Sequence, residues 1–301
     1  MPHAWPVSYR ITIEEEIVAI GMAGNGLIVA TKGTPYLVSG TDPRAMQVLR
    51  IEAAQACLNK ASLVDMGDMV MYAGADGLVA AAGTDVQVIT EGIISPQQWR
   101  TDYYPTVLKG FRWEGKYIGL YTFPATGTET AWGGFIFDPR GGKNTLALLT
   151  QTNSTDAAGG YTDPDDNELY IIIDNTIKKF QGSATYQTFT WRSKEFVPPK
   201  PTSMGFLKVD AESYAGDGVT VKVYGDGTLF YEAVISDGDT SPPGLPYNVD
   251  PSTPNVDAIN IPEPIVRLPA TVAKTFSIQI EAAVIVNEVC IAESIDEIRG
   301  A

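Results

Sequence analysis

Three groups of side chains in this sequence are of types that could do chemistry. The first would be a nucleophile with its base. His3 is the only histidine, and the two cysteines, Cys57 and Cys290, are far apart. A Ser-His-Asp or Cys-His arrangement would have to use His3, which sits in a Pro-rich N-terminal stretch expected to fray, so nucleophilic catalysis of that kind is not expected. A zinc site built on Cys/His clustering is absent for the same reason. Both cysteines read as small buried residues rather than a disulfide framework, which points to a reducing compartment. The second group is the acids, 36 Asp and Glu. A glycoside hydrolase needs two carboxyls at a set separation in a cleft, and the Ser-x-Asp-x-Gly-x-Thr-Trp aspartate box does not occur. Glycan hydrolysis is the least favoured reading. Asp163-Pro164-Asp165-Asp166-Asn167-Glu168 offers oxygen ligands for Ca²⁺ but lacks the ligand spacing and glycine of an EF loop, and a solvated turn is preferred. The third group is aromatic: Phe111, Trp113, Tyr117, Tyr121, Phe123, Trp132, Phe135 and Phe137. Such a stripe could stack on sugars, but its alternation along strands favours core packing. Trp132, beside Gly133-Gly134, is the first of them to test.

No Gly-rich phosphate loop and no strand-GxGxxG-helix unit is present. Gly24-Asn25-Gly26 joins two apolar strands and reads as a hairpin turn. No catalytic, cofactor-binding or metal-ligating residue is nominated, and no cofactor is expected.

The elements that would have to position any site repeat one pattern: an apolar strand, a tight Gly or Asn/Asp turn, then a second apolar strand. The units begin near Ile17, Ala61 and Leu108, about 45 residues apart, the spacing of propeller blades. A fourth, looser unit runs over residues 145–180, with a polar loop at 159–167 and a hairpin around Asp174-Asn175. Residues 7–13 alternate as a strand should, and Glu14-Glu15-Glu16 reads as a solvated turn. Asp42-Pro43-Arg44-Ala45-Met46 and Ser95-Pro96-Gln97-Gln98-Trp99 read as capped helical starts.

The texture changes near residue 190. Val197-Pro198-Pro199-Lys200-Pro201 breaks an alternating strand, and regular strands follow at 204–211, 219–224, 228–235, 266–269, 275–282 and 287–292. The fold class is therefore all-β: β-propeller-like repeats of about four blades in residues 1–187, then a C-terminal β-sandwich in residues 188–301. The Pro-, Asp- and Ser-rich stretch 236–264 is long for a compact domain and is a candidate contact loop.

Composition is that of a turn-rich globular chain: 301 residues, 29 Gly, 20 Pro and a net charge of −15. No apolar run is long enough to span a membrane, and Met1-Pro2-His3-Ala4-Trp5-Pro6 is not a secretory signal. The acidic balance excludes gripping nucleic acid by phosphate neutralisation, though not letting it pass. On charge alone, solubility is the preferred explanation.

Several phrases resemble a virion protein of tailed bacteriophages. They are Thr34-Pro35-Tyr36-Leu37-Val38-Ser39-Gly40-Thr41-Asp42-Pro43, Gln55-Ala56-Cys57-Leu58-Asn59-Lys60-Ala61-Ser62, Ala75-Asp76-Gly77-Leu78-Val79, and Ile89-Thr90-Glu91-Gly92-Ile93-Ile94-Ser95-Pro96-Gln97-Gln98-Trp99. The closing stretch from Arg267 to Ser294 resembles the end of the same proteins. The nearest type is the tail nozzle, or tail tubular, protein of short-tailed phages. The resemblance implies a β-propeller platform with β-sandwich additions and no catalysis. It implies a homo-oligomeric ring, commonly a hexamer, in the virion tail, made in the host cytoplasm. Its partners would be other phage tail proteins, on the portal and adaptor side and at the tail fibres, with DNA passing through but not specifically bound. The chain is shorter than such proteins usually are. The alternative carried beside it is a receptor- or carbohydrate-binding module at the tail tip, using the 236–264 loop or the aromatics of the third repeat.

Overall fold

The computed structural model describes residues 9–42, 44–124, 130–150, 157–173, 176–183, 187–212, 218–235 and 265–300. His3, the Asp174-Asn175 turn and the 236–264 loop lie outside the described residues. The chain is all-β and divides into two compact units, Met1–Gly182 and Ser183–Ala301.

The first unit is a series of antiparallel meanders. β1 (Ile17–Ala23), β2 (Gly26–Thr31), β3 (Tyr36–Ser39) and β4 (Gln47–Arg50) pair in chain order. So do β5 (Val64–Asp65), β6 (Val70–Ala73), β7 (Leu78–Ala82) and β8 (Asp85–Val88). A seven-residue helix, α1 (Pro96–Asp102), precedes the third meander. That sheet consists of β9 (Lys109–Trp113), β10 (Lys116–Pro124), β11 (Thr130–Phe137) and β12 (Leu146–Thr150), and the fourth has three strands, β13 (Ala157–Thr162), β14 (Leu169–Ile173) and β15 (Thr176–Lys179). Consecutive pairing in chain order is also the strand order of a propeller blade.

The second and third sheets are apolar on both faces and pack on a sheet at each side, whereas the first and fourth each pack on one neighbouring sheet. Ile28 and Ala30 of the first sheet meet Val70, Tyr72, Val79 and Ala81 of the second. Val64, Met71, Ala73 and Leu78 on the other side of the second sheet meet Tyr117, Phe135 and Phe137 of the third. Trp113, Ile118, Leu120 and Trp132, on the third sheet's far side, meet Leu169 and Ile171 of the fourth. The first strands of successive sheets touch in turn, β1 with β5, β5 with β9, and β9 with β13.

Several expectations change here. Residues 10–13 form no strand. Ile11 and Ile13 instead lay their side chains on Val29, Tyr36 and Val38, so their alternation serves packing without a ladder partner. Asp42 closes a turn rather than a helix, accepting from Arg44 N at 2.9 Å while its carbonyl accepts from Ala45 N. The 146–149 stretch is the outer strand of the third sheet, not the start of a fourth repeat. Gly159–Thr162 lies inside β13, paired with β14, and the polar loop is confined to the residues after it.

The second unit is built differently. β16 (Phe189–Arg192), β23 (Phe276–Ala282), β19 (Val219–Gly225) and β20 (Thr228–Ile235) form one sheet in that spatial order. β21 (Ile265–Arg267), β18 (Phe206–Ala211) and β24 (Val286–Ala292) form another, and β17 (Thr202–Ser203) pairs with β22 (Val272–Ala273). Leu207, Val209, Val221, Val223, Ile278 and Ile280 share one core drawn from both larger sheets. The β19–β20 turn places Asp226 at φ 48° and Gly227 at φ 76°, the left-handed pair a type I′ hairpin needs. The Asp226 carboxylate then accepts from Lys274 N and Thr275 N at 2.9 and 3.0 Å, tying the hairpin to the strand beside it. A terminal helix, α2 (Ile295–Gly300), was not anticipated. Its signal is a capping box: Ser294 Oγ accepts from Glu297 N, and the Glu297 carboxylate accepts from Ser294 N.

Candidate functional site

α1 organises the most site-like region of the first unit. Ser95 caps it, its Oγ accepting from Gln98 N at 3.2 Å, and Pro96 opens it. Trp99 is fully buried, and its indole N–H donates to Gly74 O at 2.9 Å, which pins the helix to the β6–β7 connection. Beside that pin lies a cleft of about 570 Å³ whose lining includes Gln55, Asp76, Glu91 and Ser95. Two acids and an amide on apolar walls are what a polar ligand would need, but Asp76 is already engaged. Arg100 bonds its Oδ1 at 3.0 Å, and Gln55 Nε2 donates to its Oδ2 at 3.4 Å. Among the described residues, Gln55 Oε1 is buried without a hydrogen-bond partner. The cleft therefore offers one acid held by a cation and one acid, Glu91, on its rim.

Next to α1, aromatic rings stack outward from the core. Trp99 stacks on Tyr103 at 5.5 Å and meets Phe135 edge-on at 6.0 Å. Tyr104 then stacks on both Tyr121 and Phe123, with centroids 6.0 and 5.9 Å away. Tyr104, Tyr121 and Phe123 are half-buried. Burial pushes the Tyr121 phenol up to about 12, so it stays a neutral hydroxyl at any ordinary pH. Of the remaining stripe, Trp113, Tyr117, Trp132, Phe135 and Phe137 are buried, and Phe111 is half-buried against the same core as Trp113. Trp132 in particular is 7% exposed and packed against the fourth sheet, so it cannot lie on a sugar. Its Nε1 is buried without a hydrogen-bond partner among the described residues.

The acidic turn is spent on its own backbone. Asp163 Oδ1 accepts from Asp165 N, Asp166 Oδ1 accepts from Glu168 N, and Asp166 Oδ2 accepts from the Tyr170 hydroxyl at 2.8 Å. Those bonds hold the Asp166 carboxyl below its usual range, the Glu168 amide being the largest cause. Glu168 itself pairs with Lys179 at 2.9 Å. Among the described residues, no group of three His, Cys, Asp or Glu could hold a metal ion.

Sequence reasoning missed Glu15. Read as solvent-facing, it is a clamp: its carboxylate accepts from Thr31 Oγ1 and Thr34 N, both at 2.6 Å, from Thr34 Oγ1 at 3.1 Å and from Arg50 at 3.2 Å. The Thr31 bond is the largest cause of its lowered pKa. Asp138 behaves alike, its carboxyl held down to about 2 chiefly by the Arg140 side chain. Thr31, Gly33 and Thr34 form the only local hint, a polar knuckle able to face a carboxylate. Cys57 is buried and pushed up to about 11 by burial, which leaves an inert thiol. Cys290 differs from the expectation: it is half-buried, with its sulfur 3.3 Å from Glu288 Oε1.

No family model matches the chain, and no curated protein matches it. Similar solved structures include an exo-beta-1,3-galactanase from Phanerochaete chrysosporium. A variant with beta-1,3-galactotriose is 8% identical over 88% of this chain and 77% of that chain, at a TM-score of 0.25. The galactose-bound enzyme is 7% identical over 93% and 96%, at 0.21. Likeness this slight carries no argument about the present chain.

Proposed function

We propose that this chain is a structural protein of a bacteriophage tail, a nozzle component forming part of the channel for genome ejection, and that it performs no catalysis. The observation that carries the reading is how the first unit spends its side chains. Four sheets stack through apolar cores, and four of the first unit's carboxylates are tied to the frame, Glu91 on the rim of the cleft being outside that set. Glu15 holds Thr31 and Thr34, Asp138 holds Arg140, and Asp163 and Asp166 hold their own turn. That is a stiff scaffold. The resemblance to tail nozzle proteins supplies the biological setting, the virion tail with other tail proteins as neighbours. The net charge of −15 suits a conduit, because an acidic wall does not hold a polyanion in transit. Immunogold labelling of tailed virions made with this chain tests the proposal. Gold at the distal end of the tail is the expected result; virions that carry no label overturn it.

One observation favours a second reading, a receptor- or carbohydrate-binding module: the half-exposed ladder of Tyr104, Tyr121 and Phe123. A glycan array separates the two. Binding abolished by Tyr104→Ala selects the module, and an array with no binding leaves the scaffold. Release of reducing sugar that is lost on Glu91→Gln would displace both.

A further inference from the structure

The series of sheets in the first unit leaves an apolar face at each end, and its internal interfaces indicate what each face fits. In every internal interface, the side of one sheet that faces toward the C-terminal end of the series meets the opposite side of the next sheet. The fourth sheet presents the first kind of side outward. Register puts Tyr161, Tyr170, Ile172 and Ile177 together there, with Lys179, paired to Glu168, opposite Tyr170. Tyr161 stacks on Tyr170 at 5.5 Å, and Tyr161 and Ile177 are 45% and 59% exposed. The first sheet presents the second kind of side. Its register aligns Ile20 with Val29 and Tyr36, and Met22 with Leu27 and Val38. Ile11 and Ile13 cover the middle strands of that face. The first strand is left bare, with Ile20 59% and Met22 47% exposed. Tyr36 is buried on this face, its hydroxyl without a partner among the described residues. No core cluster among the described residues joins the first sheet to the fourth.

We propose that the fourth sheet of one copy seats on the first sheet of a second copy, continuing between chains the packing used three times within one. Three of the exposed residues lie where internal contacts are also made, on the leading strands, while Ile177 lies on the outer strand β15. Tyr161 belongs to β13, and Ile20 and Met22 belong to β1; inside the unit, β1, β5, β9 and β13 touch in succession. A β13-to-β1 contact is the missing member of that series. The contact is heterologous, so it builds a closed ring when its rotation closes and a filament when it does not. The inference deepens the ring-forming reading above by naming its interface, but its geometric argument does not use the resemblance.

The test is sedimentation of the purified full chain across the micromolar range, with two double variants. Ile20→Glu with Met22→Lys spoils the first-sheet face, and Tyr161→Glu with Ile177→Lys spoils the fourth-sheet face. All four residues are exposed, so both variants should keep wild-type circular dichroism and melting. Wild type is expected to self-associate, and each variant alone to do so at least about thirtyfold more weakly. Mixing the two variants should restore a one-to-one dimer and nothing larger, because one intact copy of the contact remains between them. A monomeric wild type overturns the inference. So does an oligomer that ignores either variant, or a variant that still dimerises alone, which would mean like faces meeting. An oligomer that ignores both variants leaves the tail-scaffold reading standing. Virions that lack the label overturn that reading and leave this contact standing.

Discussion

The two units build their cores by opposite routes. In the first, every sheet is made of strands consecutive in sequence, so each ladder closes a loop of a few residues. In the second, Phe189 pairs with Ala282 and Phe206 with Ala292, ladders that span most of the unit. Loop closure is cheap for the first kind and costly for the second. The first unit therefore places its long-range demand on side-chain interfaces between sheets, above all the one filled by Trp99, Tyr103, Tyr117 and Phe135. The second places it on the hydrogen-bond ladders themselves. The lesson is that an all-β chain can hold one region whose order is local and another whose order exists only once the whole unit has formed.

The strongest way to break this comparison is Trp99→Ala. It empties a fully buried site and strands the Gly74 carbonyl, so it should cost the first unit about 3–5 kcal/mol. Calorimetry should show one transition lowered and the other unchanged. A single transition that moves as a whole would mean the units are not thermodynamically separate. Refolding sharpens the contrast. Pulse-labelled hydrogen exchange should protect the β10–β11 amides about tenfold sooner than those of β16 and β23, in line with their contact separation. Simultaneous protection would refute the local-versus-distant distinction. Ser95→Ala removes the cap of α1 and should cost the first unit about 1 kcal/mol, read as a lower urea midpoint for that unit alone.

The smallest effect is the most specific. The Glu15 pKa lies below its ordinary value of 4.5 in the folded chain. Its stabilising contribution is therefore complete above that value and is lost as pH falls through the lowered one. Glu15→Gln should melt earlier than wild type at pH 7, and the two should converge in acid, with the second unit indifferent throughout. Parallel curves at all pH values would mean that the carboxylate does not clamp the 31–34 knuckle.

How much was legible varied with the range of the signal. The repeated hairpins could be read because their turn residues sit within the hairpin: Gly24 at φ 57° and Asp226-Gly227 at 48° and 76° do locally what their residue types allow. The placement of Leu146–Thr150 could not, because an apolar strand carries no mark saying whether it ends one sheet or begins the next. α2 is marked by Ser294 and Glu297, a capping signal that follows directly on a strand and is masked by its alternation. Of the candidate site, Ser95 and Pro96 were readable as a helix start. The cleft beside them was not, since Gln55, Asp76 and Arg100 meet only after two sheets are stacked.

Alternation and turn chemistry act over about ten residues, and within that reach the sequence alone determined that this chain is all-β and where most of its hairpins fall. Which side of a strand meets which neighbour was decided only by the tertiary structure. Val70, Met71, Tyr72 and Ala73 are all buried, so no alternation distinguishes the first sheet's side from the third's. The same holds for the carboxylates. Asp and Glu look alike in sequence whether they face water or, like Glu15, close a knuckle, because the groups that hold them come from other strands.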